Sequence, residues 1–202
     1  MITNTARWFW KSELPDLVCE AIIKEGENQE VKEAETMEME KRTDAQNKAI
    51  RKSKVSWLNT NWIGKLLWEY IVEANVSAGW NYKIRSFEPL QYTIYEAPGS
   101  HYEWHVDHTR PYIDGPNQGL LRKLSVSVQL SEPDSYEGGE FEQMYISQTT
   151  DGIIEKKVDT LTEVSSRGSI LVFPGFVWHR VLPVTKGTRR SLVGWVVGEP
   201  FV

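Results

Sequence analysis

The chain has 202 residues, 40% hydrophobic and 25% charged, with a formal net charge of -5; this supports one substantial buried core and argues against a broad nucleic-acid-binding face. Cys19 is the single cysteine, which excludes intramolecular disulfides and thiolate metal clusters, so any metal must be held by His and carboxylates. No apolar run approaches the roughly 20 residues of a membrane span, and MITNTARWFWKSELPD lacks the basic start and long apolar stretch of a signal peptide, so an intracellular, cytoplasmic chain with no membrane or nucleic-acid partner is expected.

In chain order, LVCEAIIKEG predicts a short helix that stops at Gly26, with Leu17, Ile22 and Ile23 apolar. The next stretch, KEAETMEMEKRTDAQNKAIRKSK, is so highly charged that a solvated segment is expected over roughly 28–55, with a lid role as a further hypothesis. A second helix is predicted in WIGKLLWEYIVEANVSAGW. Asn59 or Thr60 would cap it, and Ile63, Leu66, Leu67, Tyr70 and Ile71 keep three-to-four spacing. From about residue 84 the period becomes two, in FEPLQYTIYE, RKLSVSVQL, GGEFEQMYI, GSILVFP, HRVLPV and RSLVGWVVG, with turn residues between them. One domain over 1–202 follows: a mainly β sandwich or barrel core over 84–202, with helical support and a charged loop over 1–83. The nine Trp exceed what a core of this size needs, so some are expected to line a groove.

The stretch YEWHVD places His105 and Asp107 two apart, which on a strand puts imidazole and carboxylate on one face. Of the remaining histidines, His101, His108 and His179, the last opens a strand after the Pro-Gly turn of VFPGFVWHRVLPV and is placed to return from an opposing strand. Two His and one carboxylate select non-haem Fe(II) by leaving coordination positions open, although Zn or Mn accepts the same donors. If Lys186-Gly187 makes a turn, Arg189 starts the neighbouring strand and reaches back into the same pocket, where its guanidinium fork would hold a carboxylate.

Taken together, YEWHVD, RKLSVSVQLSEPDSYEGGEFE and FPGFVWHRVLPVTKGTRRSLVGW resemble the Fe(II)- and 2-oxoglutarate-dependent dioxygenases of the prolyl 4-hydroxylase type, including their bacterial PKHD-type relatives. The resemblance covers roughly residues 87–198. It implies a double-stranded β-helix, or jelly roll, with His105, Asp107 and His179 as iron ligands, and 2-oxoglutarate and O2 as cosubstrates, with ascorbate as an associated reductant. It further implies that Arg189 grips the distal carboxylate of 2-oxoglutarate, that Tyr95 also contacts this cosubstrate, and that Tyr102, Arg122 and Trp195 shape the substrate groove. His101 and His108 are rim residues in this reading, and the EGGE block, Glu137 to Glu140, is a tight turn with no chemistry of its own. The implied reaction is hydroxylation of a prolyl residue in a peptide or protein, whose polyproline II strand suits an aromatic groove. Two other readings stay open: a 2-oxoglutarate oxygenase acting on another amino acid or small molecule, and a non-catalytic metal-binding jelly roll serving as an interaction module.

Overall fold

The computed structural model describes residues 5–35, 43–58, 60–148 and 154–201. Strands start well before residue 84. Among the described residues, helices α1 (Asp16–Glu27), α2 (Asp44–Ile50) and α3 (Asn61–Ser77) alternate with β1 (Trp8–Trp10), β2 (Lys32–Glu33), β3 (Arg51–Lys52) and β4 (Lys54–Leu58). The later strands are β5 (Ile84–Phe87), β6 (Leu90–Glu96), β7 (Ser100–His105), β8 (Leu121–Gln129), β9 (Tyr136–Gly138), β10 (Phe141–Gln148), β11 (Ile154–Thr160), β12 (Ile170–Pro174) and β13 (Trp178–Gly198).

Antiparallel pairing builds two faces. One follows the order β1-β12-β8-β13-β6-β4-β2. The other joins β11 to β10, β10 and β7 to β13, and β3 to β7. Strand β13 belongs to both, because residues 178–184 pair with β10 and β7 whereas residues 188–198 pair with β6 and β8. HRVLPV and RSLVGWVVG are therefore parts of one 21-residue strand that bends, rather than two strands joined by a hairpin at Lys186-Gly187. Gly187 makes the bend at φ +69°, where a Cβ would lie 2.2 Å from the Ser135 carbonyl oxygen. A strand that changes sheets closes the two faces into the expected jelly roll.

Alternation then decides what each face sees. In β8, Leu124, Val126 and Val128 are fully buried with Cys19 and Ile22 of α1 and Ile63, Leu67 and Ile71 of α3. Each such side chain contributes about 1.5–3 kcal/mol of transfer free energy. The intervening Ser127 and Gln129 border the interior between the faces, as does Gln91 of β6. The outer side of this sheet thus carries the main apolar core under the helices, and its inner side supplies polar groups to a cavity.

Two local expectations are corrected by packing. Helix α1 runs past Gly26 to Glu27, because that glycine makes room rather than a stop: a Cβ on Gly26 would lie 2.3 Å from Cγ of Tyr92. The charged stretch is also more than a solvated segment. Thr43 and Gln46 form a reciprocal capping box that starts α2, and KVSWL becomes β4, paired to β6 throughout its length. Residues 36–42 of the stretch lie outside the described residues. Thr60 is the N-cap of α3 without a side-chain cap bond, and Asn59 lies outside the described residues. Among the described residues no helix is long and apolar enough to cross a membrane.

Candidate metal centre

Strands β7 and β13 lie side by side with His105 directly opposite His179, and Asp107 follows the end of β7. The backbone N–H groups of Asp107 and His108 both donate to the Gly175 carbonyl, at 2.9 and 2.8 Å, so the Pro174-Gly175 turn that launches β13 also clamps the loop carrying the carboxylate. One ligand atom from each of His105, Asp107 and His179 lies within 4.8 Å of the others. The imidazole Nε2 atoms stand 3.9 and 3.5 Å from the two Asp107 oxygens. Both rings are oriented the same way: Nδ1–H of His105 donates to the Glu103 carbonyl at 2.7 Å, and Nδ1–H of His179 to the Val177 carbonyl at 2.9 Å. Each Nε2 is thereby left with its lone pair toward the cluster, which is how the second hydrogen bond of a metal-binding histidine works.

The electrostatics agree with that tautomer. Burial, reinforced by His179, pushes the His105 imidazolium down to about 3, so the ring is neutral near pH 7. Burial alone would raise the Asp107 carboxyl, but His179, His105 and the Ser125 hydroxyl, which donates to Oδ2 at 2.7 Å, together hold it below the usual carboxylate range. Asp107 and His179 are buried. A buried anion with two lone pairs aimed at the same point is a cation site, and the donor set fits a six-coordinate metal with positions to spare.

The three side chains open into a small cavity, lined on its apolar side by Phe141, Phe173 and Val181. Arg189 and Tyr95 stand opposite each other across the β13–β6 pair and both border this cavity. Arg189 is only 5% exposed, yet among the described residues its guanidinium has neither hydrogen bond nor ion pair, and its only ring contact is Tyr95 at 5.6 Å. An isolated buried cation is costly unless an anion meets it. Burial raises the Tyr95 phenol above its ordinary value, so it stays a neutral donor beside that cation. The EGGE block serves this arrangement: Gly139 sits at φ +69°, and a Cβ there would lie 2.9 Å from Cγ2 of Val184 and 3.0 Å from Cδ of Arg189. The turn is thus also the gap through which the Arg189 stem passes. A wider, open depression also borders Gly139 and Arg189, but of the two only the smaller cavity borders His105, Asp107 and His179.

The model of the 2OG-Fe(II) oxygenase superfamily matches residues 90–197, more than half of the chain. This chain belongs to that superfamily. A PKHD-type hydroxylase of Crocosphaera subtropica is 37% identical over 107 residues, covering 53% of this chain and 41% of that protein. Another, from Janthinobacterium sp., is 36% identical over 110 residues, covering 54% and 43%. The chain therefore spans less than half the length of the curated relatives it matches. Among solved structures, a Pseudomonas putida prolyl-4-hydroxylase shares a TM-score of 0.64 at 20% identity, over 99% of this chain and 96% of that one. A Trichoplax adhaerens prolyl hydroxylase in complex with a hypoxia inducible factor peptide fragment shares 0.68 at 18% identity, over 97% and 84%. At these identities the likeness establishes the jelly-roll fold. The donor atoms of His105, Asp107 and His179 fit an iron, and the Arg189 guanidinium, unpaired among the described residues, fits a dicarboxylate, so the residues suit both groups.

On the remaining wall of the cavity, the Tyr102 ring stacks on His105 with centroids 3.5 Å apart. Trp195 is buried between Trp57, at 6.1 Å, and the Arg122 guanidinium, 4.0 Å above its ring. Nε and Nη2 of Arg122 both donate to the Glu88 carboxylate, which also accepts from the Tyr112 hydroxyl. Arg122 thus reaches the cavity chiefly by fixing Trp195. His101 faces the Gly99 and Ala49 carbonyls, and His108 faces the Arg122 carbonyl; neither joins the metal cluster. Sequence reasoning missed Ser125, whose inward place follows from alternation in RKLSVSVQL, and it missed Gln91, Trp57 and Arg51.

Proposed function

We propose that this chain is an Fe(II)- and 2-oxoglutarate-dependent hydroxylase of prolyl residues in a peptide or protein. The observation that carries the proposal is Arg189, a buried guanidinium, unpaired among the described residues, in the same cavity as a two-histidine, one-carboxylate cluster. A site needing only a metal has no use for such a cation, which disfavours the interaction-module reading. His105, Asp107 and His179 would hold the iron, while Arg189, with Tyr95 beside it, would hold the far carboxylate of 2-oxoglutarate. Bound together with O2, these groups supply the oxidising chemistry that turns a C–H bond into C–OH and 2-oxoglutarate into succinate and CO2. The chain's own contribution is placement and exclusion of water. Phe141, Phe173 and Val181 wall the cavity, and Ser125 fixes the carboxylate. No side chain is needed as a general base.

Prolyl specificity is supported by the PKHD-type names of the relatives, by prolyl hydroxylases among the structures with the same fold, and by the aromatic rings of Tyr102 and Trp195 on the cavity, the latter packed against Trp57, which suit an extended, proline-containing strand. The test is a screen of proline-containing peptides for iron-dependent mass gain of one oxygen, with succinate measured in parallel. Trp195→Ala is expected to weaken peptide turnover about tenfold, the scale of a lost aromatic contact, and to leave 2-oxoglutarate affinity within about threefold. Equal losses in both would remove Trp195 from the substrate wall. Succinate release with no peptide modified would favour a different amino acid or small molecule.

A further inference from the structure

The cavity contains a second guanidinium that the reaction described above does not use. Arg51, in β3, is 8% exposed and borders the same space as the metal ligands. Its Nε donates to Ser53 Oγ at 3.1 Å and Nη1 to the Glu35 carbonyl at 3.4 Å, while Nη2 has no partner among the described residues. Its Cζ lies 4.5 Å from the centroid of the Tyr102 ring, and that ring stacks on the metal ligand His105. Among the described residues no carboxylate pairs with it. Ser53, a backbone carbonyl and an aromatic face orient the fork without neutralising it.

The charges in the cavity sharpen this. Among the described residues that line it, Arg51 and Arg189 are the cations and Asp107 the carboxylate. A divalent iron and a dianionic 2-oxoglutarate cancel each other, so the loaded cavity keeps one positive charge out of water, a state that a further anion relieves. Arg189, opposite Tyr95, takes the far end of 2-oxoglutarate. Arg51, on the Tyr102 side, is the cation left over.

We infer that Arg51 is a specificity residue that grips a carboxylate of the primary substrate, so the natural substrate bears an acidic group within a residue or two of the carbon that is oxidised. The inference rests on the hydroxylase reading for the identity of the reaction, but the recognition itself is measurable without turnover. A planar fork of this kind prefers carboxylate over amide because both bonds become charge-assisted. The acid is either the side chain of a residue flanking the target or the free terminus of the substrate, and matched ligands separate the two.

The full chain, loaded with Mn(II) and 2-oxoglutarate, would be titrated calorimetrically with two pairs of probes. One pair is a blocked tripeptide with proline followed by glutamate or by glutamine; the other is a tripeptide ending in proline, as free acid or as amide. In at least one pair the acid is expected to bind about tenfold or more tightly than its neutral partner, as one charge-assisted pair would give. In Arg51→Gln that ratio should fall to near one, Arg51→Lys should restore part of it, and 2-oxoglutarate affinity should stay within about threefold of wild type. The lysine variant also guards against a folding defect, since it keeps the charge, and a purely structural Arg51 would not change an acid-to-amide ratio. Wild type that distinguishes neither pair, or binds neither, overturns the inference, as does a preference that survives Arg51→Gln or a matching loss of 2-oxoglutarate binding. An intact acid preference with no proline oxidised would strike the prolyl reading alone.

Discussion

Replacing Arg189 with methionine separates a binding cation from a structural one. The side chain keeps a similar length and fills the passage beside Gly139, but the guanidinium, 5% exposed and unpaired among the described residues, is gone. In the ligand-free protein that removes an uncompensated buried charge, so stability should hold or rise; a gain of about 1 kcal/mol would appear as roughly 2–4 °C in a chain of this size. For 2-oxoglutarate the sign reverses. Losing one partner of a buried, hydrogen-bonded charge pair costs about 2–5 kcal/mol, which at about 1.4 kcal/mol per decade is a thirtyfold to several-thousandfold weaker complex. Thermal unfolding of the ligand-free protein, and calorimetric titration of 2-oxoglutarate into the anaerobic Fe(II) form, read the two halves. A variant that unfolds several degrees lower would show that the charge supports the fold. A variant that binds 2-oxoglutarate within about threefold of wild type would refute its role as the anchor.

Two further substitutions probe the supports of the site. Ser125→Ala removes the 2.7 Å hydrogen bond to Oδ2 of Asp107 and should weaken Fe(II) or Mn(II) binding about 10–100-fold in a chelator competition, with little change in fold by circular dichroism; unchanged metal affinity would mean that the carboxylate needs no such support. Gly139→Ala puts a methyl at φ +69° against Val184 and the Arg189 stem, so about 1–3 kcal/mol of stability and at least tenfold in 2-oxoglutarate affinity should be lost together, by thermal melting and titration; loss of stability alone would leave the glycine with only its turn.

What the sequence revealed of the site follows from local chemistry. His105 and Asp107 announce themselves because two rare donors stand two apart beside a turn, and His179 because few histidines remain to complete the set. Arg189 was legible for the right pocket by an incorrect route: a hairpin at Lys186-Gly187 was expected, whereas β13 is continuous and bends, and either geometry sets residue 189 beside Tyr95. A glycine at positive φ marks a corner and a hairpin alike, so the distinction lies in what pairs on either side, which is non-local. Arg51 was hidden for the opposite reason. Lys48, Lys52 and Lys54 surround it in KAIRKSK, so the segment reads as solvated; its burial comes from Tyr102 and Ser53 through pairing of β3 with β7, which is non-local. The strand KVSWL was masked by the same charged surroundings, although its Leu58 joins the main core and its Trp57 meets Trp195. Short strands owe their structure to the sheet that receives them more than to their own composition.

The central claim is that His105, Asp107 and His179 hold Fe(II) in a form that takes 2-oxoglutarate, and the most direct measurement is visible absorption during anaerobic addition of 2-oxoglutarate to the Fe(II)-loaded chain, in wild type and in Asp107→Ala. The account expects the charge-transfer band of an iron-bound 2-oxo acid to rise and saturate in wild type and to be absent in the variant. Folded, iron-loaded wild type that develops no band, or a band that persists in Asp107→Ala, would contradict it.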